Sequence, residues 1–195
     1  MLKGFQYEYR SVSLIGDRGT QTPEFQKINP YKQIPSLVIE DSGKQVVLSQ
    51  SLAIIQYLDE AYPDTTPLLP ADPLARAQVR TISDCIAAGI QPLQNVTVID
   101  YLNSNGLSGS EFAGETISTR FSDLEVILKD CSGKYCVGDE VTMADLCLAP
   151  QVYNAGRFGV DMSKFPVISR INENLMKIPA FEKGHPAKQP DTPAQ

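Results

Sequence analysis

The sequence predicts an α/β half followed by an all-helical half. Short β-rich runs alternate with short helical ones up to residue 64, and beyond residue 73 apolar residues recur every three or four positions. Between the halves lies TTPLLPADP, residues 65–73, whose prolines read as a linker. The expected division is therefore an α/β domain at 1–64, a linker at 65–73, a helical domain at 74–183 and a flexible tail at 184–195.

The elements follow in order. Gln6 to Leu14 alternates aromatic and polar residues (Tyr7, Tyr9) and then apolar ones (Val12, Leu14), the pattern of a strand. Thr22 to Ile28 reads as a short helix, with Thr22 as N-cap and Pro23 at the first helical position. It stops before Asn29-Pro30, because proline biases its predecessor away from helix. Ser36 to Glu40 and Lys44 to Leu48 are β runs joined by Asp41-Ser42-Gly43, a hairpin with a three-residue turn. Ser49 to Tyr62 is helical, with Leu52, Ile55 and Leu58 at spacing three, and Pro63 ends it.

In the second half Val79, Ile82, Ile86, Gly89 and Leu93 mark one face of a long helix kinked at Pro92. Ile117, Phe121, Leu124 and Leu128 repeat the spacing, as do Ile168, Ile171, Leu175 and Ile178. The tail from Gly184 has little to bury and is expected to be disordered or draped on the surface.

Composition excludes several classes. Hydrophobic residues make up 42% and charged residues 21%, enough for a core without disulfide or metal staples. Net charge is −6, against the clustered Lys/Arg that nucleic-acid binding needs. An anionic small molecule remains compatible, because helix N-termini and a few basic groups suffice for one. The N-terminus carries no apolar run of a signal peptide, and no stretch approaches 18 apolar residues, so no membrane partner is expected. The four cysteines, Cys85, Cys131, Cys136 and Cys147, read as reduced thiols. Cys131 and Cys136 bracket a Ser-Gly-Lys turn without further zinc ligands, and the only histidine, His185, lies in the tail. No metal site, Ser-His-Asp triad or Gly-rich phosphate loop is readable. Cytoplasm is the default location, and a mitochondrial one is not excluded.

Four strings hold the remaining information: Asn29-Pro-Tyr-Lys-Gln-Ile-Pro-Ser-Leu37, Ser49-Gln-Ser-Leu-Ala-Ile-Ile-Gln-Tyr-Leu58, Ile90-Gln-Pro-Leu-Gln-Asn95 and Tyr135-Cys-Val-Gly-Asp-Glu-Val-Thr-Met-Ala-Asp145. From the residues alone, Pro35 is a strand-start proline and Gln21 a solvated loop residue. Gln50-Ser51 opens a helix either as a cap or as an anion site, where unpaired N–H groups and the helix dipole attract a carboxylate. Gln91 and Asn95 stand one helical turn apart. Arg157, after Asn154-Ala155-Gly156, sits near a helix C-terminus, where its charge is favourable. Thr142 to Asp145 is a variant capping box, with Val141 placed to staple against Leu146. Loss of Asp145 is expected to cost roughly 0.5–2 kcal/mol, as for caps generally.

Together these strings, with Gln189-Pro-Asp-Thr-Pro193 near the end, resemble the zeta class of cytosolic glutathione transferases over essentially the whole chain. The resemblance implies a thioredoxin-like N-terminal domain and an all-α C-terminal bundle. It implies a cis bond before Pro35, with the Ile34 N–H and C=O pairing with the cysteinyl main chain of glutathione. It assigns the γ-glutamyl carboxylate to Gln50 and Ser51, and further glutathione contacts to Gln21, Gln91, Asn95, Val96 and Thr97. Arg157 is assigned to the anionic substrate, because a guanidinium offers a carboxylate a bidentate fork. The implied activity is glutathione-dependent cis–trans isomerisation of maleylacetoacetate to fumarylacetoacetate in tyrosine and phenylalanine breakdown. The implied chemistry is addition of the thiol to the conjugated double bond, rotation, and elimination. Conjugation of glutathione to small α-halo acids and a homodimer are also implied.

The family pattern begins earlier than this sequence, with a strand, a Ser-Ser-Cys turn and a helix ending in Leu-Lys-Gly, here Leu2-Lys3-Gly4. None of the 195 residues takes the place of Ser-Ser-Cys, so no catalytic residue is assigned. The family's serine hydroxyl favours thiolate on a thiol whose free pKa is about 8.5. The expectation is a sheet with an open edge beside Gln6–Leu14. Two functions stay open: an active isomerase, or a non-enzymatic binding or interaction module.

Overall fold

The computed structural model describes residues 2–14 and 19–192. The chain folds as two compact units, Leu2–Thr66 and one beginning at Pro67.

The first unit is built on a hairpin. Strand β1 (Ser36–Asp41) pairs antiparallel with β2 (Lys44–Ser49), from Ser36 opposite Ser49 to Asp41 opposite Lys44. Asp41 is thus the last paired residue, and the turn is the two residues Ser42-Gly43 rather than three. Their φ values of 51° and 77° match the primed turn whose twist suits a hairpin. Helix α1 (Pro23–Ile28) follows a 3-10 turn at Gly19–Gln21. Thr22 caps α1 by accepting from Phe25 N at 3.2 Å, and Phe25 is buried. Helix α2 (Ser51–Ala61) ends before Tyr62-Pro63.

The strand expected over Gln6–Leu14 is absent, because residues 5–13 adopt no regular structure. Among the described residues the only sheet is β1–β2. An extended run is stable only when paired, and no described strand lies beside this one. Its aromatic residues are correspondingly open, Tyr7 at 59% exposure and Tyr9 at 47%. The segment before it is anchored, since Lys3 Nζ meets Asp59 of α2 at 2.8 Å in a nearly buried ion pair. The same ammonium donates to Thr65 Oγ1 and Thr66 O. The Phe5 and Tyr62 rings pack tilted to one another at 4.5 Å between centroids.

The second unit is helical: α3 (Pro73–Ala87), α4 (Val96–Ser104), α5 (Gly109–Cys131), α6 (Met143–Arg157), α7 (Pro166–Met176) and α8 (Pro179–Gly184). The predicted periodicities become its core. Ile82 and Ile86 of α3, Phe121 and Leu128 of α5, and Ile168 and Ile171 of α7 are fully buried.

The helix expected from Val79 through Leu93 stops at Ala87. The amides of Gly89 and Gln91 reach back five residues, to Asp84 O and Ile86 O, which loosens the spiral into turns. Pro92 has no N–H and would collide with the preceding turn of a continuing helix. Gln91 and Asn95 are therefore separated by a non-helical turn, not by a helical one. The tail is folded back in part. Residues Pro186–Lys188 form a 3-10 turn, and the His185 ring meets Tyr153 of α6 edge-on at 5.2 Å.

No described helix is long and apolar enough to cross a membrane. Among the described residues no group of three or more His, Cys, Asp or Glu is placed to hold a metal.

Candidate functional site

In the α/β unit the site is made of backbone, and Asn29 shapes it. Asn29 is buried, donates from Nδ2 to Gln33 O at 2.7 Å and to Ser36 Oγ at 3.1 Å, and accepts from Tyr31 N at 3.0 Å. One side chain thereby closes the loop between α1 and β1. Lys32 in that loop takes φ 58°, a region non-glycine residues rarely occupy. The loop delivers Ile34 and Pro35, joined by a cis peptide bond, to the start of β1. Neither the N–H nor the C=O of Ile34 hydrogen-bonds to any described residue, and its side chain is exposed. An open donor and acceptor side by side is what a main-chain-bearing ligand requires.

Helix α2 supplies the second part. Gln50 stands at its N-cap with φ 70° and ψ 115°, and its side chain makes no capping bond. Gln50 Nε2 turns instead to Gln33 Oε1 at 3.3 Å, while its carbonyl accepts from Ile54 N at 3.0 Å. The amides of Ser51, Leu52 and Ala53 and the Ser51 hydroxyl have no acceptor among the described residues. Of the two readings left open for Gln50-Ser51, the side-chain cap is not formed. The donors and the positive end of the helix dipole stay available to an anion. Gln21 closes the 3-10 turn, exposed, its carbonyl accepting from Gln26 Nε2 at 2.7 Å.

In the helical unit the assigned residues fall at two places. Gln91 is half-buried in the turn between α3 and α4. Asn95 caps α4, accepting at Oδ1 from Thr97 N at 3.0 Å and Thr97 Oγ1 at 2.9 Å. Asn95 and Thr97 are thus engaged with each other, and Val96 is the first residue of α4. Arg157 is the last residue of α6, exposed, donating to Asn154 Oδ1 at 3.1 Å and lying over the Phe158 ring.

The capping box is deeper than a surface cap. Asp145 is fully buried and accepts from Thr142 N at 2.8 Å, Thr142 Oγ1 at 3.0 Å and Cys136 N at 2.9 Å. Burial raises its pKa, and the donors oppose that shift. Three of the thiols, Cys131, Cys136 and Cys147, are structural in character. Burial pushes Cys147 up to about 11 and Cys136 well above its ordinary value, and Cys131 is raised by burial and by Asp130.

Three side-chain pairings had no signal in the sequence. Gln94 and Gln151 form a buried reciprocal amide pair. Glu125 of α5 accepts from Val167 N at 2.7 Å and Ile168 N at 3.0 Å, capping α7 from another helix. Lys3 and Asp59 are the third. Each joins residues more than forty positions apart, beyond any local pattern.

A small antiparallel sheet with an uncapped helix start, followed by a helical unit, defines a class that comparison makes specific. Residues 1–61 match the family model of the glutathione S-transferase N-terminal domain, and residues 97–183 that of the C-terminal domain. Maleylacetoacetate isomerase of Rattus norvegicus is 51% identical over 195 residues, 100% of this chain and 87% of the rat protein. The Mus musculus protein of that name is 50% identical over the same shares. Among solved structures, a maleylacetoacetate isomerase from Anaeromyxobacter dehalogenans with bound glutathione superposes with a TM-score of 0.89 at 37% identity, covering 98% of this chain and 88% of that one. A zeta-class maleyl pyruvate isomerase gives 0.91 at 37% identity, covering 98% and 91%. The chain belongs to the glutathione S-transferase family. Within it, the chain falls in the zeta class, with the maleylacetoacetate isomerases.

Proposed function

We propose that this chain is a glutathione-dependent isomerase converting maleylacetoacetate to fumarylacetoacetate, with transferase activity on small α-halo acids. The observation that carries the reading is the 51% identity to the rat isomerase over a match that covers 100% of this chain. The open donors at the start of α2 and at Ile34 suit glutathione, which carries carboxylates and a peptide main chain.

Bound glutathione supplies a thiol that adds to a conjugated double bond and leaves after rotation. The chain's own residues bind and orient. The Ser51 hydroxyl and the amides of Ser51, Leu52 and Ala53 receive the γ-glutamyl carboxylate, and Gln50 holds the strained backbone that leaves them open. Ile34 pairs with the cysteinyl main chain. Gln21, Gln91, Asn95, Val96 and Thr97 complete the ligand contacts. Arg157 receives a carboxylate of the substrate, consistent with relatives solved with citrate or malonate. We assign the protein to the cytoplasm and expect a homodimer.

Binding is tested by thermal melting and titration calorimetry with glutathione. Stabilisation that is lost when the γ-glutamyl carboxylate is amidated supports the reading. Equal stabilisation by the amidated tripeptide, or none by glutathione, opposes it.

A further inference from the structure

Gln94 and Gln151 are buried, at 8% and 0% exposure. Gln94 Nε2 donates to Gln151 Oε1 at 2.8 Å, and Gln151 Nε2 donates to Gln94 Oε1 at 3.1 Å. Two apolar side chains of the same volume would fill this space without removing carboxamides from water. What the amides add is direction, because two opposed hydrogen bonds hold at one relative placement only.

Both partners sit where the backbone holds itself weakly. Residues 88–94 are turns, Pro92 brings no N–H, and Asn95 N reaches Pro92 O only at 3.4 Å. On α6, Pro150 lies inside the helix directly before Gln151 and cannot donate to the preceding turn. The clasp therefore ties the turn to the half of α6 beyond its proline. Gln91 stands three residues before Gln94, and Asn95 is the next residue. Arg157 follows Gln151 by six residues, about 9 Å along the helix axis.

We infer that Gln94 and Gln151 are a positioning pair for the reaction, fixing the segment from Gln91 to Thr97 relative to Arg157. This rests on the reading of those residues as ligand contacts. Neither glutamine is asked to touch the ligand. A placement error near 1 Å at reacting groups costs up to about a hundredfold in rate, so a directional clasp serves a purpose that an apolar contact does not.

The test is the double variant Q94M/Q151M, which conserves volume and removes direction. Without ligand, amide hydrogen exchange at residues 91–97 and 152–157 is expected to rise about tenfold together, with the melting temperature lowered by only a few degrees. With glutathione present, KM for maleylacetone is expected to rise about tenfold, with kcat changed less. Unchanged exchange, or a lowered melting temperature with KM unmoved, overturns the inference. If the wild-type chain fails to isomerise maleylacetone, the proposed function fails, and the exchange result still judges the pair. Should the double variant not fold, Q94E decides. Its carboxyl reproduces both hydrogen bonds when protonated and only accepts when ionised. Its kcat/KM relative to wild type is expected to fall as pH rises through that titration, and exchange at 91–97 to rise with it. Ratios flat with pH in both measurements overturn the inference.

Discussion

Helices α3 to α7 begin on acceptors, whereas α2 does not. In the helical unit, Asp72, Asn95 and Ser108 cap α3, α4 and α5. Leu68 O receives the first amide of α6, and Glu125 receives two amides of α7. In the α/β unit, the first three amides of α2 and both backbone groups of Ile34 have no partner among the described residues. The cores differ in the same sense. The helical unit buries whole faces of four helices, and the α/β unit buries chiefly Phe25 and Ile54. A unit that satisfies its polar groups internally gains stability, and one that leaves them open holds donors ready for a ligand. Loss of a cap or core group in the helical unit should therefore read out as stability, and changes at α2 as affinity, while the Gln94–Gln151 pair and the ligand contacts proposed beside it are the helical unit's exceptions.

The largest expected effect is at Asp145. Replacement by Ala leaves three buried donors without their acceptor, so the cost should be about 4 kcal/mol in a denaturant melt, above the range expected of an ordinary cap. A cost near 1 kcal/mol would mean that water replaces the carboxylate.

Next is alkaline pH. Cys147 moves from an ordinary 9.0 to about 11, so the folded state keeps a proton that the unfolded chain releases between those values. Its contribution is intact below pH 9 and is lost as pH rises through 11, amounting to about 3 kcal/mol. The C147A variant should lessen that decline by this share, with the raised Cys136 and Cys131 thiols supplying more of it, as urea melts across the range would show.

Glu125→Ala should cost about 2 kcal/mol by orphaning two amides, and Glu125→Gln about half of that, since one oxygen remains to accept. Equal losses would place the effect in packing. The smallest effect is Ser51→Ala. The melting temperature should stay unchanged while glutathione affinity falls about tenfold, a loss near 1.4 kcal/mol for a hydrogen bond to a charged group. A change in stability at constant affinity would reverse the comparison between the units.

What was legible in the sequence is what is locally determined. The β1–β2 hairpin (though not the length of its turn), the Thr22 and Thr142 caps, and the buried faces of α3, α5 and α7 each depend on residues within a few positions. Besides the hairpin's turn, shortened because Asp41 pairs with Lys44, two expected elements failed because a distant or opposing factor prevailed. Gln6–Leu14 has the alternation of a strand, but alternation cannot supply a pairing neighbour. Val79 to Leu93 has helical spacing, but Gly89 and Pro92 unwind it. At the site, Gln50 and Ile34 could be located by their strings, while their open backbone groups became visible only in three dimensions. Gln94 stood within its string without a role because its partner lies 57 positions away, whereas Asn29 bonds within its own string, as an asparagine opening a local turn does.

Isomerisation by this chain depends on glutathione as its cofactor. Incubation of the purified chain with maleylacetone, with and without glutathione, tests it directly. Turnover that requires glutathione and is lost when glutathione is withheld is the predicted result. No turnover at saturating glutathione, or equal turnover without it, would contradict the claim.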